Sequence, residues 1–241
     1  MKTSNLLLLI AALVFLGSLT AYNLALRTEY RLGTYKDPLR GYSHLAFQNF
    51  NEIAVPAASV ASVKIVAGPW GVRLSPHAAP YVHVRQRGRR LEVSANFPER
   101  WAWLPGEAVV ISCPQLAALR TDAVYTEAGK RLTDTRIEPR YRVLVQGFTQ
   151  DTLRVQADRA SRVELAANRL GYLAAETGRT PGSQTALQLD DDNHIGAARL
   201  RCDNRATLAL NGLRIPSLQT QLADSAQLSL RGQALGSLAR Q

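Results

Sequence analysis

Two segments near the C-terminus carry one pattern. Ala206, Leu208, Leu210 and Gly212 recur, about 20 residues later, as Ala226, Leu228, Leu230 and Gly232. Leucines at period two lie on one face of a strand. A unit of about 20 residues is too short to fold alone, so it buries its apolar face on its neighbours. The pattern predicts an all-β protein, a β-solenoid of stacked parallel, β-helix-like rungs. It points away from most enzyme scaffolds and says little about a ligand.

The repeat extends backwards with more variation. Val163 and Leu165 alternate in the same way, as do Leu187 and Leu189. Between them the turn-rich stretch from Gly178 to Ser183 reads as an insertion at a corner. A second strand precedes each copy: Leu153, Val155 and Ala157; Ala198, Leu200 and Cys202; Leu218, Thr220 and Leu222. Asp158-Arg159, Asp203-Asn204 and Asp224-Ser225 separate the strands. Asp and Asn suit such corners because their side chains bond nearby backbone and tolerate left-handed dihedrals. A helical reading fits poorly, because the apolar spacing is two over several copies.

The N-terminus is the second strong signal. Ser4 to Leu26 carries no charge and Leu6 to Leu16 is continuously apolar. At 1.5 Å per residue the uncharged stretch spans a hydrocarbon core of about 30 Å. Leu19, Ala21, Asn23 and Ala25 make mediocre cleavage-site residues, and no Cys follows to serve as a lipid-attachment site. The expectation is an uncleaved signal anchor, a transmembrane helix over residues 1–26 whose partner is the inner membrane. A polar tether follows over 27–45 and one domain over 46–241. Arg27, Arg31, Lys36 and Arg40 outnumber the positive charges before the apolar segment. Taken literally, the positive-inside rule keeps the body in the cytoplasm. The character of the body argues instead for export to the periplasm or cell surface.

Hydrophobic residues make up 46% of the 241, enough for a core, and aromatics only 7%, as expected where Leu, Val, Ile and Ala fill a narrow interior. The formal net charge is +10, almost all of it from Arg and denser in the first half. Such a balance suits an anionic membrane surface or an acidic polysaccharide, or is simply a solvated surface; nucleic acid is not expected as a partner. Cys113 and Cys202 stand in strand-like contexts with no metal spacing and read as small buried hydrophobes. Sequence leaves open whether they are bridged.

Along the body, Phe47 to Val55 starts the fold, and Val60 to Val66 follows as a strand with Val63 and Ile65 alternating. Tyr81 to Arg85 and Leu91 to Val93 flank Arg87-Gly88-Arg89-Arg90 as a hairpin. Residues 97–106 form a loop, and Ala108 to Pro114 an apolar strand ended by proline. This order of alternations, with Gly68, Gly88, Pro114, Leu116 and Leu119 at their places, resembles the head GIN domain of auto-transporter adhesins from exported Bacteroidetes proteins. The resemblance covers about residues 46–233. It implies a β-solenoid body outside the inner membrane and supplies no catalytic residues. The chain departs from it in having an N-terminal anchor without a lipid-attachment Cys, and no translocator barrel.

Three places could carry chemistry. Asp190-Asp191-Asp192-Asn193-His194 is the densest acidic run, but it has no recognised Ca²⁺-loop spacing, so no metal site is assigned and a solvated corner is the simpler reading. Trp101 and Trp103, beside Arg100, form either a sugar or interface platform or a cover over the open end of the fold. His83, Arg85 and Arg87 project to one side of their strand and, with Arg89 and Arg90, make a basic hairpin for phosphate, carboxylated glycan or anionic lipid, or else a charged face that blocks edge pairing. No Gly-x-Ser-x-Gly, His-Glu-x-x-His, phosphate loop or Cys-x-x-Cys is present, and no cofactor is implied. Asp190 with Arg199 or Arg201 is the one pairing that a polysaccharide lyase or hydrolase would use. The expectation is a non-enzymatic, membrane-anchored envelope protein with an adhesive or binding role. Its partner would be an anionic glycan, a lipid or an envelope protein. The alternatives are a β-helix carbohydrate-active enzyme, marked by converging carboxylates, and an envelope stress-sensing accessory.

Overall fold

The computed structural model describes residues 3–33 and 39–237. The chain divides into two compact units, Met1–Gly41 and Tyr42–Gln241. The first holds helix α1 (Thr3–Leu32). Its stretch Asn5–Arg31 has a mean hydropathy of 2.0, with no part of the window buried. By length and composition it can cross a membrane, and a signal sequence has the same properties. Three of its hydroxyls bond within the helix: those of Ser18, Thr20 and Thr28 donate to the carbonyls of Phe15, Leu16 and Leu24 at 2.8, 2.8 and 3.0 Å. That pairing removes the cost of carrying hydroxyls into hydrocarbon. Lys2 and the middle of the expected tether, 34–38 with Lys36, lie outside the described residues.

The second unit is two large mixed β-sheets. In spatial order the first sheet runs β1 (Ser43–Leu45), β4 (Gly71–Leu74), β7 (Val109–Cys113), β3 (Val63–Ala67), β11 (Val143–Gln146), β13 (Arg162–Ala166), β15 (Ala186–Leu189), β17 (Thr207–Asn211) and β19 (Gln227–Arg231). The second runs β10 (Lys130–Thr133), β9 (Val124–Glu127), β6 (Arg90–Phe97), β2 (Glu52–Val55), β8 (Ala118–Thr121), β12 (Thr149–Ala157), β14 (Arg169–Thr177), β16 (His194–Cys202) and β18 (Ser217–Leu222). Strand β5 (Val82–Arg87) adds to it through β6. β1, at the end of the stretch expected as a tether, pairs with β4.

This architecture corrects the stacked parallel solenoid expected from the repeat. The strands β1/β4, β4/β7, β5/β6 and β9/β10 are antiparallel, and the sheets that contain them are mixed. The physical reason lies in what alternation reports. A period of two says that one face of a strand is buried; a parallel and an antiparallel neighbour satisfy it equally. The repeat itself covers only the later strands, and the first half of the chain mixes antiparallel pairs with parallel ones.

Within the later strands the alternating residues do meet in register. Val163, Leu187, Leu208 and Leu228 are successive partners across β13, β15, β17 and β19, and so are Leu165, Leu189, Leu210 and Leu230. Leu208 and Leu210 are fully buried. Leu228 and Leu230, on the last strand, are partly buried against the core. Each buried leucine contributes about 1.5–3 kcal/mol. The second sheet supplies Ile53, Leu119, Val155, Ala175 and Leu200 to the same core cluster. Cys113 and Cys202 are both buried free thiols, on strands of different sheets.

Two buried asparagines join the turns between sheets. Asn168 Oδ1 accepts the Phe148 N–H at 3.0 Å, and its Nδ2 donates to the Val145 carbonyl and to Asn193 Oδ1. Asn193 Nδ2 in turn donates to the Leu165 and Asp190 carbonyls. Backbone groups that leave a strand inside the protein need partners, and this ladder provides them. Each asparagine stands just before a strand, β14 and β16. The spacing of the pair becomes legible in the sequence only once the strand starts are aligned.

Candidate functional site

The basic hairpin forms as β5 and β6, antiparallel with Arg87 opposite Arg90. Gly88, at φ 59°, takes the first central position of its two-residue loop, a conformation that favours glycine. The Arg89 carbonyl accepts the N–H groups of Asn51 and Glu52 at 3.1 Å each, which fixes the tip. Val82 is buried and Val84 partly so, whereas His83, Arg85 and Arg87 are exposed on the outer side with Arg89 at the turn. Arg90 is different: it donates to Glu52 Oε2 at 3.1 and 3.3 Å.

Pairing continues this face across the second sheet, which the sequence did not reveal. One row reads Arg87, Arg90, Glu52, Ala118, Arg154, Ala174, Arg199 over β5, β6, β2, β8, β12, β14 and β16. The next reads Arg85, Glu92, Ala54, Arg120, Gln156, Glu176, Arg201. Seven arginines and three glutamates therefore share one outer face. Arg201 is held by Asp203 at 2.9 Å, but among the described residues Arg85, Arg87, Arg120, Arg154 and Arg199 make no ion pair. At about 4.8 Å per strand the rows extend roughly 30 Å.

The tryptophans lie elsewhere. Their loop, between β6 and β7, is pinned by buried Leu104, whose N–H donates to the Tyr141 hydroxyl oxygen at 3.4 Å. Trp101 meets the Tyr141 ring edge-on at 6.5 Å. Trp103 borders a cleft with Ser62, Glu107, Arg142, Arg162 and Glu164, on the side of the first sheet. Two carboxylates there are tied through one arginine rather than facing each other across an open groove. Arg142 reaches Glu164 Oε2 at 2.9 Å and Glu107 Oε1 at 3.8 Å, and Arg162 reaches Glu164 Oε1 at 2.7 Å. Burial pushes the Glu107 carboxyl above its usual range, with Glu164 adding to the rise and Arg142 and Lys64 opposing it. Glu164 has both oxygens engaged by guanidinium groups.

The acidic run is an ordered corner. Asp190 Oδ1 accepts from Gln188 at 2.8 Å and from Asn211 at 3.1 Å, and Asn193 is part of the buried ladder. Among the described residues no group of three or more His, Cys, Asp and Glu side chains is arranged to hold a metal ion. Asp190 is not brought to Arg199 or Arg201, which face outward on β16. A cleft of about 740 Å³ borders Asp151, Gly171, Gly196, Arg169, His194 and Arg214. Its glycines are explained by chain packing: a Cβ at Gly196 would stand 2.9 Å from the Gly171 carbonyl oxygen.

No protein-family model matches the chain, and no curated protein does. Solved structures do. A "putative adhesin" from Bacteroides fragilis superposes with a TM-score of 0.45 at 13% identity, over 79% of this chain and 96% of that one. A "putative lipid binding protein" from Parabacteroides distasonis gives 0.37 at 9% identity, over 79% and 94%. A "putative adhesin" from Parabacteroides merdae gives 0.33 at 10% identity, over 79% and 95%.

Proposed function

We propose that this protein is a non-enzymatic, membrane-anchored envelope protein of the head GIN type, with its body exported, which binds an acidic polysaccharide through the outer face of its second sheet. The observation that supports this most is the register of that sheet, which gathers Arg85, Arg87, Arg120, Arg154 and Arg199 without ion-pair partners. Hydrogen-bonded strands hold these charges at fixed intervals over roughly 30 Å, a length that suits an extended chain of carboxylates or phosphates. The two rows contain no large apolar side chain to insert into a bilayer, which favours a polymer over a lipid surface.

Polygalacturonate is a suitable probe, with dextran as the neutral control and phosphatidylglycerol vesicles as the competing surface. Exposed charge contacts are worth on the order of 1 kcal/mol or less each and are screened within about 10 Å at 0.1 M salt. Polygalacturonate should therefore bind, release steeply with added salt, and be lost when Arg85, Arg87, Arg154 and Arg199 are all changed to Gln, with little change in melting temperature. Retained binding in that variant, or binding to vesicles and not to the polysaccharide, overturns the proposal.

A further inference from the structure

The cleft beside Trp103 is separate from the arginine face and has different chemistry. Leu104 and Trp101 anchor the loop, yet Trp103 is 57% exposed. Packing therefore does not account for a large indole at this position, and exposed aromatic surface costs solvation unless something covers it. Opposite it the walls are polar and most of their charge is paired: Glu107 and Glu164 are matched by Arg142 and Arg162, and Arg140, also on the lining, pairs with Glu138 at 3.4 Å. The cavity is about 310 Å³, at the small end for ligand sites and suited to one ring.

Glu107 is incompletely satisfied. Tyr42 donates to its backbone carbonyl at 2.7 Å and so fixes the residue at the wall. Its side-chain Oε2 is sealed from solvent and has no hydrogen-bond partner, and Oε1 has only Arg142 at 3.8 Å. A carboxyl group held without a hydrogen bond is costly, and among the described residues Ser59 Oγ is the one other buried polar side-chain atom left without a partner. Oε2 stays sealed, but a ligand donor at Oε1 would give the carboxyl a hydrogen bond and offset part of that cost.

We propose that this cleft binds a single neutral pyranose unit. Its C–H face would lie on the Trp103 indole and a pair of hydroxyls would reach the Glu107 carboxyl and the Arg142 guanidinium. An indole face attracts the polarised C–H groups of a sugar ring, and carboxylates and guanidinium groups bond adjacent hydroxyls in pairs. An acidic sugar is disfavoured, because Arg142 and Arg162 are committed to Glu107 and Glu164, and Arg140 to Glu138. A purely apolar ligand would strand the polar walls.

The test is calorimetry on the full chain in detergent with methyl galactopyranoside, methyl glucopyranoside and methyl mannopyranoside. At least one should bind saturably, with an affinity that added salt leaves unchanged. Trp103→Ala should raise its Kd about tenfold, the scale of one good aromatic contact. Trp103→Phe should recover part of the loss, and Glu107→Gln should weaken binding without unfolding the protein. The variant lacking Arg85, Arg87, Arg154 and Arg199 should bind the sugar normally, which separates this site from the polysaccharide face. The proposal fails if none of the three pyranosides binds, if Trp103→Ala binds as well as the parent protein, or if the four-arginine variant loses the sugar.

Discussion

Asp158 shows how one residue of a corner holds two segments. Its carboxylate accepts four hydrogen bonds, from the Arg159 N–H, the Thr180 N–H and hydroxyl, and the Ser183 hydroxyl. It thereby ties the turn-rich stretch after β14 to the corner after β12. Desolvation alone would raise its pKa, but the bonds from Thr180, Arg159 and Ser183 outweigh that, so the carboxyl titrates below its ordinary value. A folded-state pKa below the unfolded one means that the stabilisation is complete above the unfolded carboxyl range, near 4, and is lost as pH falls through the depressed folded value. Asp158→Asn keeps the shape but turns a donor toward other donors. It should cost about 2 kcal/mol near neutral pH, less than a fully buried charge because the group is partly solvated. Denaturant midpoints should show the gap from the parent protein closing on acidification below about pH 4. A gap that widens there would show that Asp158 does not act as the ionised acceptor.

At the scale of the element, β12, β14 and β16 share a local break. Their register passes over Asp151, Gly171 and Gly196. A Cβ at Gly171 would stand 2.9 Å from the Asp151 carbonyl oxygen, and one at Gly196 the same distance from that of Gly171. Three neighbouring strands thus pack backbone on backbone, and glycine is required by contact rather than by dihedral angle. Gly196→Ala should cost about 1–3 kcal/mol by overpacking, read as a lower urea midpoint. Gly236→Ala, where a Cβ meets nothing within 4 Å, should change it little. Equal effects at the two positions would remove close packing as the reason. Loop and strand composition alone gave no hint of this constraint, because a glycine in a strand reads equally as a bulge or as a weak position.

At the scale of the whole molecule, the proposed anchoring and export place the sheets outside the cytoplasm. Export predicts a simple labelling result. Cys113 and Cys202 are buried, and burial pushes the Cys113 thiol up to about 12, so neither competes for a thiol reagent. Ser43, by contrast, is exposed on β1. Ser43→Cys should react with a membrane-impermeant maleimide in intact spheroplasts. Reaction only after lysis would place the body in the cytoplasm, as the positive charges that follow the helix would have it.

Local order was legible in the residues themselves. The alternation of Leu208 with Leu210, and of Val163 with Leu165, is a property of neighbouring side chains and a strand's two faces, so it identified strands, their buried sides and the long apolar N-terminal segment. The hairpin arginines were legible for the same reason, since Gly88 and the flanking alternation define a local turn. Which strand lies beside which is a different kind of information. The stacked solenoid was the wrong extrapolation because alternation is blind to the direction and identity of the neighbour, and several first-half strands pair antiparallel. Only tertiary pairing placed Arg120, Arg154 and Arg199 beside Arg85 and Arg87, far apart in sequence yet on one face. Only it brought Glu107 to Glu164 beneath Trp103. Such sites arise from contacts whose closure depends on every intervening strand, and so they are decided by the assembled sheets.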